Sequence, residues 1–447
     1  MRATSLNTTD TMGTKTIWVL KKVVFVFFVF FVLKSSIQAQ QEAPFTYAIT
    51  GARVVPVSSA TLDNATVVFS GGVITAVGAN VTVPPGAITI AGKGMTVYPG
   101  LIDMGSSAGL EAPAIPRADN PQTTEDIERV KRETLLRAHL RAADYMNPSS
   151  AALAKAAETG ITAILATPGS DGIRGQSALV LTSIGADLPQ IGALADDRRG
   201  PLVVRTPVAL HVGIAGSPAG GDAYPNSLMG NIAFNRQAFL DAQWYQQAKS
   251  PAHSAALDAM QPALAGRMPV AFRASTSRDV LRALDMAKMF KLDPIITAAR
   301  QVEDVTGEIK AANARVIYSL NFPVRRVSLA PDADESLSVL RDRANAPKGP
   351  SSLDKAGILF AFESAGLQES KDFLKNAQKT VANGLSKDAA IKALTINAAT
   401  IAGASDRLGS LDKGKIANVI VTDGDLFEEK TTIKHVFVNG RPVTLPR

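Results

Sequence analysis

From Thr46 onward the chain runs in short stretches where apolar and polar residues alternate: AITGARVVPV at 48–57, ATVVFSGGVITAVG at 65–78 and AITIAGKGMTVYPG at 87–100. A period of two, punctuated by glycine pairs such as Gly71-Gly72, predicts antiparallel strands joined by tight turns. The same style returns from about Leu408, in NVIVTDGD at 418–425 and IKHVFVNGRPVTL at 433–445, where Asn439-Gly440 is a hairpin signal. Two β-rich ends around a different middle predict one small β-sandwich built from residues 40–100 and 404–447.

Between them, continuous apolar runs alternate with helical patterns. The runs are TAILATPG (162–169), PVALHVG (207–213), PVAFRA (269–274), DPIITAA (293–299), RVIYSLNF (315–322) and GILFAFES (357–364). Helical spacing is clearest over 276–290 and 385–399, the latter opened by Ser386 in a capping position. ETLLRAHLRAAD at 133–144 also reads as a charged helix, and the helix NRQAFLDAQWYQQA at 235–248 places Trp244 and Tyr245 in packing positions. Strand and helix alternating over about 300 residues predict a (β/α)8 barrel across 101–403, so the fold class is α/β with a companion sheet domain.

The N-terminus follows a third pattern. Lys21 and Lys22 precede eleven apolar residues, Val23 to Leu33, and then KSSIQAQQ. That order is the order of a secretory signal, and eleven residues are too few to span a bilayer. Residues 1–39 are therefore expected to be removed, with export to the periplasm or medium and no membrane span afterwards. The chain has 447 residues and a formal net charge of +7, and loss of that segment leaves 42 basic against 39 acidic residues. Charges of alternating sign, without a basic block, give no support to nucleic-acid binding. With no cysteine, disulfides, thiolate nucleophiles and cysteine zinc sites are excluded.

PGLID at 99–103, entered from the β-rich region, and ALTINAATIAGASDRLGSLDKGKIANVIVTDGD at 393–425 resemble the two borders of the barrel in the amidohydrolase superfamily, near its imidazolonepropionase-like branch. ETGITAILATPGSDGIRGQSALV and YPNSLMGNIAFNRQAFLDAQWY are similar to a secreted subgroup of it. The resemblance implies hydrolysis of non-peptide C–N bonds, often in cyclic amides, by one or two divalent metals such as zinc held at the C-terminal ends of the strands. The metal lowers the pKa of a bound water and an aspartate on the last strand accepts its proton.

Carried across residue by residue, the expected His-x-His falls on Gly105, Ser106 and Ser107. The strand-five ligand position is held by Arg273 and Ser275, strand six by Ala298 or Ala299, and the catalytic aspartate's place by Glu363. No metal cofactor is therefore expected. His139, His253 and His435 read as structural or exposed; His211, which interrupts an apolar strand, is either a packing residue or part of the site. Asp103, Glu363, Asp171 and Glu303 are candidates for a carboxylate site suited to magnesium or calcium, but they come from separate segments with no recognisable loop spacing, and Asp103 reads better as a tie on strand-end backbone. An Arg273–Glu363 ion pair in place of the metal's charge is one expectation, and Arg273 pointing out into solvent is the other. Gly169, Gly172 and Gly175 predict a loop bent over the barrel mouth, with Arg174 and Gln176 facing a ligand. Three readings follow: a weakened homologue that keeps a small-molecule pocket, alone or as partner of an active relative in a homo- or hetero-oligomer; an active hydrolase with Glu363 as base; and a purely structural protein.

Overall fold

Gly71-Gly72 and the alternating valines and isoleucines around it fold as their pattern predicts. In the computed structural model, which describes residues 45–111, 123–126, 134–169, 172–182, 203–214, 225, 227–249, 251–325, 330 and 333–446, β1 (Thr46–Val54), β2 (Leu62–Ser70) and β3 (Val73–Gly78) form an antiparallel meander. Parallel to β1 lie β4 (Ile88–Ala91) and β5 (Thr96–Pro99). The proposed signal segment lies outside the described residues.

All six apolar runs become strands with a parallel neighbour, one in a smaller sheet and five in a larger. In the smaller, β6 (Leu101–Ser106) pairs in parallel with β7 (Ile161–Ala166), which α1 (Ala151–Glu158) precedes. Next in the chain come β8 (Ile173–Gln176), β9 (Ala178–Leu181) and β10 (Val203–Arg205), then β11 (Leu210–Gly213). β9 is antiparallel to β7 and to β10, whereas β8, one residue upstream of β9, is antiparallel to β11. One segment thus crosses from the small sheet to the large one, and Ser177 at the crossing bonds to the 208–209 backbone. The strictly parallel (β/α)8 pattern expected from sequence is broken here.

The larger sheet continues in parallel through β12 (Val270–Arg273), β13 (Pro294–Ala299), β14 (Arg315–Ser319) and β15 (Phe360–Glu363). Helices α2 (Leu228–Gln247), α3 (Ala255–Leu264), α4 (Ser277–Phe290), α5 (Thr306–Ala311), α6 (Leu337–Asn345) and α7 (Gly349–Ala356) lie between the strands. Thr276 caps α4 by accepting from the Asp279 N–H and donating to its carboxylate. After β15 come α8 (Lys371–Ala382), α9 (Lys387–Leu394) and α10 (Ile396–Ile401). The helix expected over 385–399 is two, broken at Thr395 where ψ is −93°. Ser386 does cap the first, accepting from the Ala389 N–H at 3.1 Å.

The chain then returns to the first sheet. β16 (Val419–Thr422) pairs antiparallel with β5, and β17 (Ile433–Val438) and β18 (Arg441–Pro442) follow outward. The order β18-β17-β16-β5-β1-β2-β3 is one hydrogen-bonded sheet drawn from both chain ends. Its own apolar core contains Ile49, Val67, Phe69, Val97, Val419 and Phe437.

Two further expectations change. Residues 136–141, read as helix, run beside β8 in isolated parallel bridges, Leu136 to Ile173 and Arg141 to Gln176. Leu135, Leu136, Arg137 and Ala138 are all buried, a continuous run that no single helix face would give. This contact also explains the glycines: a methyl on Gly172 would lie 2.6 Å from the Leu135 carbonyl oxygen, and one on Gly175 2.5 Å from that of Leu140. Both have φ above zero, so they admit a neighbouring chain and are not a loop over the mouth. Trp244, expected to pack, is 62% exposed.

Candidate active site

Phe360, Ala361, Phe362 and Glu363 alternate along β15. The two phenylalanines pack edge to face at 5.7 Å on one side, which puts Ala361 and Glu363 on the other. Register carries that second face across the sheet: Glu363 stands opposite Ser319, Thr297 opposite Arg273, and His211 opposite Ala271. One row further from the C-terminal strand ends the same face carries Ala361, Ile317, Ile295, Ala271 and His211.

Glu363 is only 4% exposed, and its neighbours locate it. A methyl on Gly105 of β6 would meet Glu363 Oε2 at 2.7 Å and its Cβ at 2.9 Å. The backbone N–H of Ala298, on β13, also favours the charged form of the Glu363 carboxyl. β6 and β13 thus both lie near the Glu363 carboxylate. The donor is free because β13 bulges: the register slips between Ile296 and Ala299, and Ala298 adopts φ of 56°. Bulges of this kind re-aim single backbone groups at sites.

Asp103, 2% exposed, secures the same corner. It accepts from the Ser364 N–H at 2.8 Å, the Ser364 hydroxyl at 2.5 Å and the Gly105 N–H at 3.1 Å. No backbone ladder joins β6 to β15; this carboxylate joins them instead. The reading of Asp103 as a tie on strand-end backbone is thus matched by its bonds, and the partner Ser364 is new.

Burial sets the charges. Glu363 is pushed up to about 8, first by loss of solvent and then by the nearby Asp103 charge, against the Ala298 N–H and the charges of Arg273 and Arg174. Burial likewise pushes Asp103 up to about 6, moderated by its bonds to Ser364 and Gly105. His211, 2% exposed, falls to about 3, mainly by burial and further by Arg174. At neutral pH the site therefore holds a protonated Glu363 and a neutral imidazole, and the His211 Nε2 is buried without a hydrogen-bond partner.

The remaining expected residues divide. Gly105 and Glu363 are in contact, and Arg174 acts on both Glu363 and His211. Arg273 belongs to the same face but is exposed and makes no ion pair with Glu363 among the described residues. The expected pair is not formed because β12 ends at Arg273, where a long side chain reaches water at no desolvation cost. Ser107 is exposed, and Ser275 accepts from the Gln301 N–H through its backbone oxygen. Gln176 turns its amide to the Ala138 carbonyl. Glu303 lies instead with Tyr318 and Asp342, and Asp171 is outside the described residues. His139 and His253 are exposed, and His435 stacks on Phe437.

These donors do not fit the divalent metals that the resemblance implies. The space beside Gly105 is taken by the Glu363 carboxylate, and both Asp103 oxygens accept hydrogen bonds from the protein. Among the described residues no three His, Asp or Glu side chains converge. A hydrolytic zinc site needs at least three protein ligands and an open position.

In folds where parallel strands alternate with helices, sites lie at the C-terminal strand ends, which is where this polar cluster stands. Comparison adds that residues 305–443 match the Amidohydrolase family. An amidohydrolase from Thermotoga maritima has the same fold, with a TM-score of 0.71 at 21% identity over 90% of this chain and 100% of that one. A prolidase complexed with N-methylphosphonate-L-proline matches at a TM-score of 0.52 and 18% identity, covering 90% of this chain and 100% of its own. A Xaa-Pro dipeptidase with methionine bound in its active site gives 0.51 and 16%, over 89% and 99%. No curated protein matches the chain in sequence.

Proposed function

We propose that this is an amidohydrolase-type protein in which the mouth of the strand ring persists as a small-molecule binding site while metal-dependent C–N hydrolysis is lost or much reduced. The observation that carries the reading is the Gly105–Glu363 contact. A histidine at position 105 would need the volume that the Glu363 carboxylate fills, so the two positions differ from the family together. As a base, Glu363 is poorly suited to neutral pH, because a group pushed up to about 8 holds its proton there. It is better suited to donate one.

In this reading the strands form a (β/α)8-like ring, with β8 and β9 as one antiparallel stave and the Asp103–Ser364 bonds at the seam. Residues 40–100 and 404–447 supply the companion sheet domain, residues 1–39 direct export, and the mature protein acts outside the cytoplasm, alone or as subunit of an oligomer. No described helix is long and apolar enough to cross a membrane.

Elemental analysis of the full chain, purified without chelators, tests the central claim. The expected result is well under one metal per chain and no gain in hydrolysis of cyclic amides when zinc or manganese is added. Stoichiometric zinc, manganese or iron overturns it.

A further inference from the structure

We infer that the exposed face of α2 is the interface of a homodimer, in which α2 packs antiparallel on α2 of a second copy of this chain. The inference goes beyond the reading of the mouth and is independent of what binds there.

The polarity of α2 is inverted. Its buried side carries Asn231 and Asn235, both fully buried, while Met229, Leu240 and Trp244 are 81%, 41% and 62% exposed. Asparagine points inward only where its amide is bonded. Here Asn235 donates to the Gly213 carbonyl at 2.8 Å, and Asn231 to the Gly213 and Ile214 carbonyls at 3.1 and 3.2 Å. The end of β11 thus fixes the rotation of the helix, and the apolar face is held outward. Met229, the exposed Ala233, Leu240 and Trp244 fall within an arc of about 60° and form a stripe about 22 Å long. The two charged residues of α2, Arg236 and Asp241, lie on opposite flanks of that stripe, and Asp241 accepts from the Gln237 amide at 2.7 Å along one rim. A contiguous apolar surface with tryptophan and methionine at its centre and charge only at its edges has the make-up of a protein interface.

The stripe is complementary to itself. A two-fold axis passing between Ala238 and Phe239 sets Trp244 of each copy opposite Ala233 of the other, Met229 opposite the capping Ala248, and Leu240 opposite Gln237. Each large apolar side chain then meets a smaller one, which close packing across an isologous contact requires. Parallel pairing would instead stack Trp244 on Trp244 and leave the two Ala233 facing a gap. Beside α2 lies α4, whose Phe290 stacks on Phe239 at 5.1 Å, and its exposed Leu281 and Met289 extend the face. Two neighbouring helices, each about 10 Å across, offer on the order of 500 Å² per copy, short of the about 800 Å² of a standard interface. The dimer is therefore reversible.

The rest of the molecule offers less. The groove at the opposite end of β15 contains Asp388, already paired with Lys392 at 2.7 Å. The exposed Leu337 and Leu340 of α6 have nothing to indicate what covers them.

Sedimentation velocity of the full chain over a range of concentrations, at low and at high salt, tests the pairing. The expected result is a monomer–dimer equilibrium with a Kd in the micromolar range, not weakened by salt, since the contact is apolar. Trp244→Ala and Ala233→Trp are each expected to raise the Kd about tenfold or more. The double variant Ala233→Trp with Trp244→Ala exchanges large for small in both copies at once, and is expected to dimerise more tightly than either single variant. Far-UV circular dichroism checks that all three variants, altered at exposed positions, keep the fold. A monomer at every concentration, association untouched by Trp244→Ala, or a double variant no tighter than the singles overturns the inference. None of these bears on the metal content, so a wrong interface and a wrong functional reading are distinguishable.

Discussion

Replacing Glu363 with glutamine keeps its shape and removes its proton equilibrium. In the folded chain the carboxyl titrates at about 8, against 4.5 for the ordinary group. Below 4.5 both folded and unfolded chains bind the proton, and the native state suffers no penalty. Between 4.5 and about 8 the native state binds one proton more than the unfolded state, so stability falls as pH rises, by about 1.4 kcal/mol per unit. Over the whole interval the loss is on the order of 5 kcal/mol as a ceiling. Asp103, raised from 3.8 to about 6, adds a decline of the same sign over the lower part of the range in both proteins. The wild type and Glu363→Gln should therefore differ little in urea midpoint at pH 4.5. The variant should gain steadily to pH 8, and the gap should then level off. Parallel curves across pH 4.5 to 9 would refute the claim that Glu363 is buried and uncharged at neutrality.

Two other substitutions address the same corner. Gly105→Ala brings a carbon to 2.7 Å from Glu363 Oε2 and 2.9 Å from its Cβ, and should cost about 1–3 kcal/mol by overpacking; Glu363→Ala in the same chain should recover only part, since the Cβ contact persists, and denaturant unfolding of the single and double variants reads this directly. Asp103→Ala removes the acceptor of three bonds and should cost about 2–4 kcal/mol, with faster amide exchange at Ser364 and Gly105; unchanged exchange at both would show that the seam does not depend on Asp103.

The legible parts of this chain were those with a strong local period. β12 to β15 fall inside the runs at 269–274, 293–299, 315–322 and 357–364, because buried parallel strands are short, apolar and bounded by turn residues. Glu363 and Gly105 were recognisable as the positions where a family pattern fails. Their contact was not, since it joins residues 258 apart in sequence. The Ala298 bulge left no trace, as alanine carries no signal for positive φ. LLRAHLRAAD satisfied a helical period, but its apolar residues are buried against β8 instead, a competition that only the tertiary neighbours decide. Gly172 and Gly175, expected in a loop bent over the barrel mouth, mark close backbone approach instead.

The sheet shared by the two chain ends has a consequence for synthesis and for damage. β5 is flanked by β1 on one side and β16 on the other, and Val97 pairs with Val421. During translation the N-terminal meander must wait, with one edge bare, until the final strands emerge, an order that exposes strand edges to wrong partners. Once complete, the same seam acts as a clasp. A single backbone cut anywhere between β6 and α10 leaves both fragments stitched together through β5 and β16, so nicking does not of itself release a piece of the molecule.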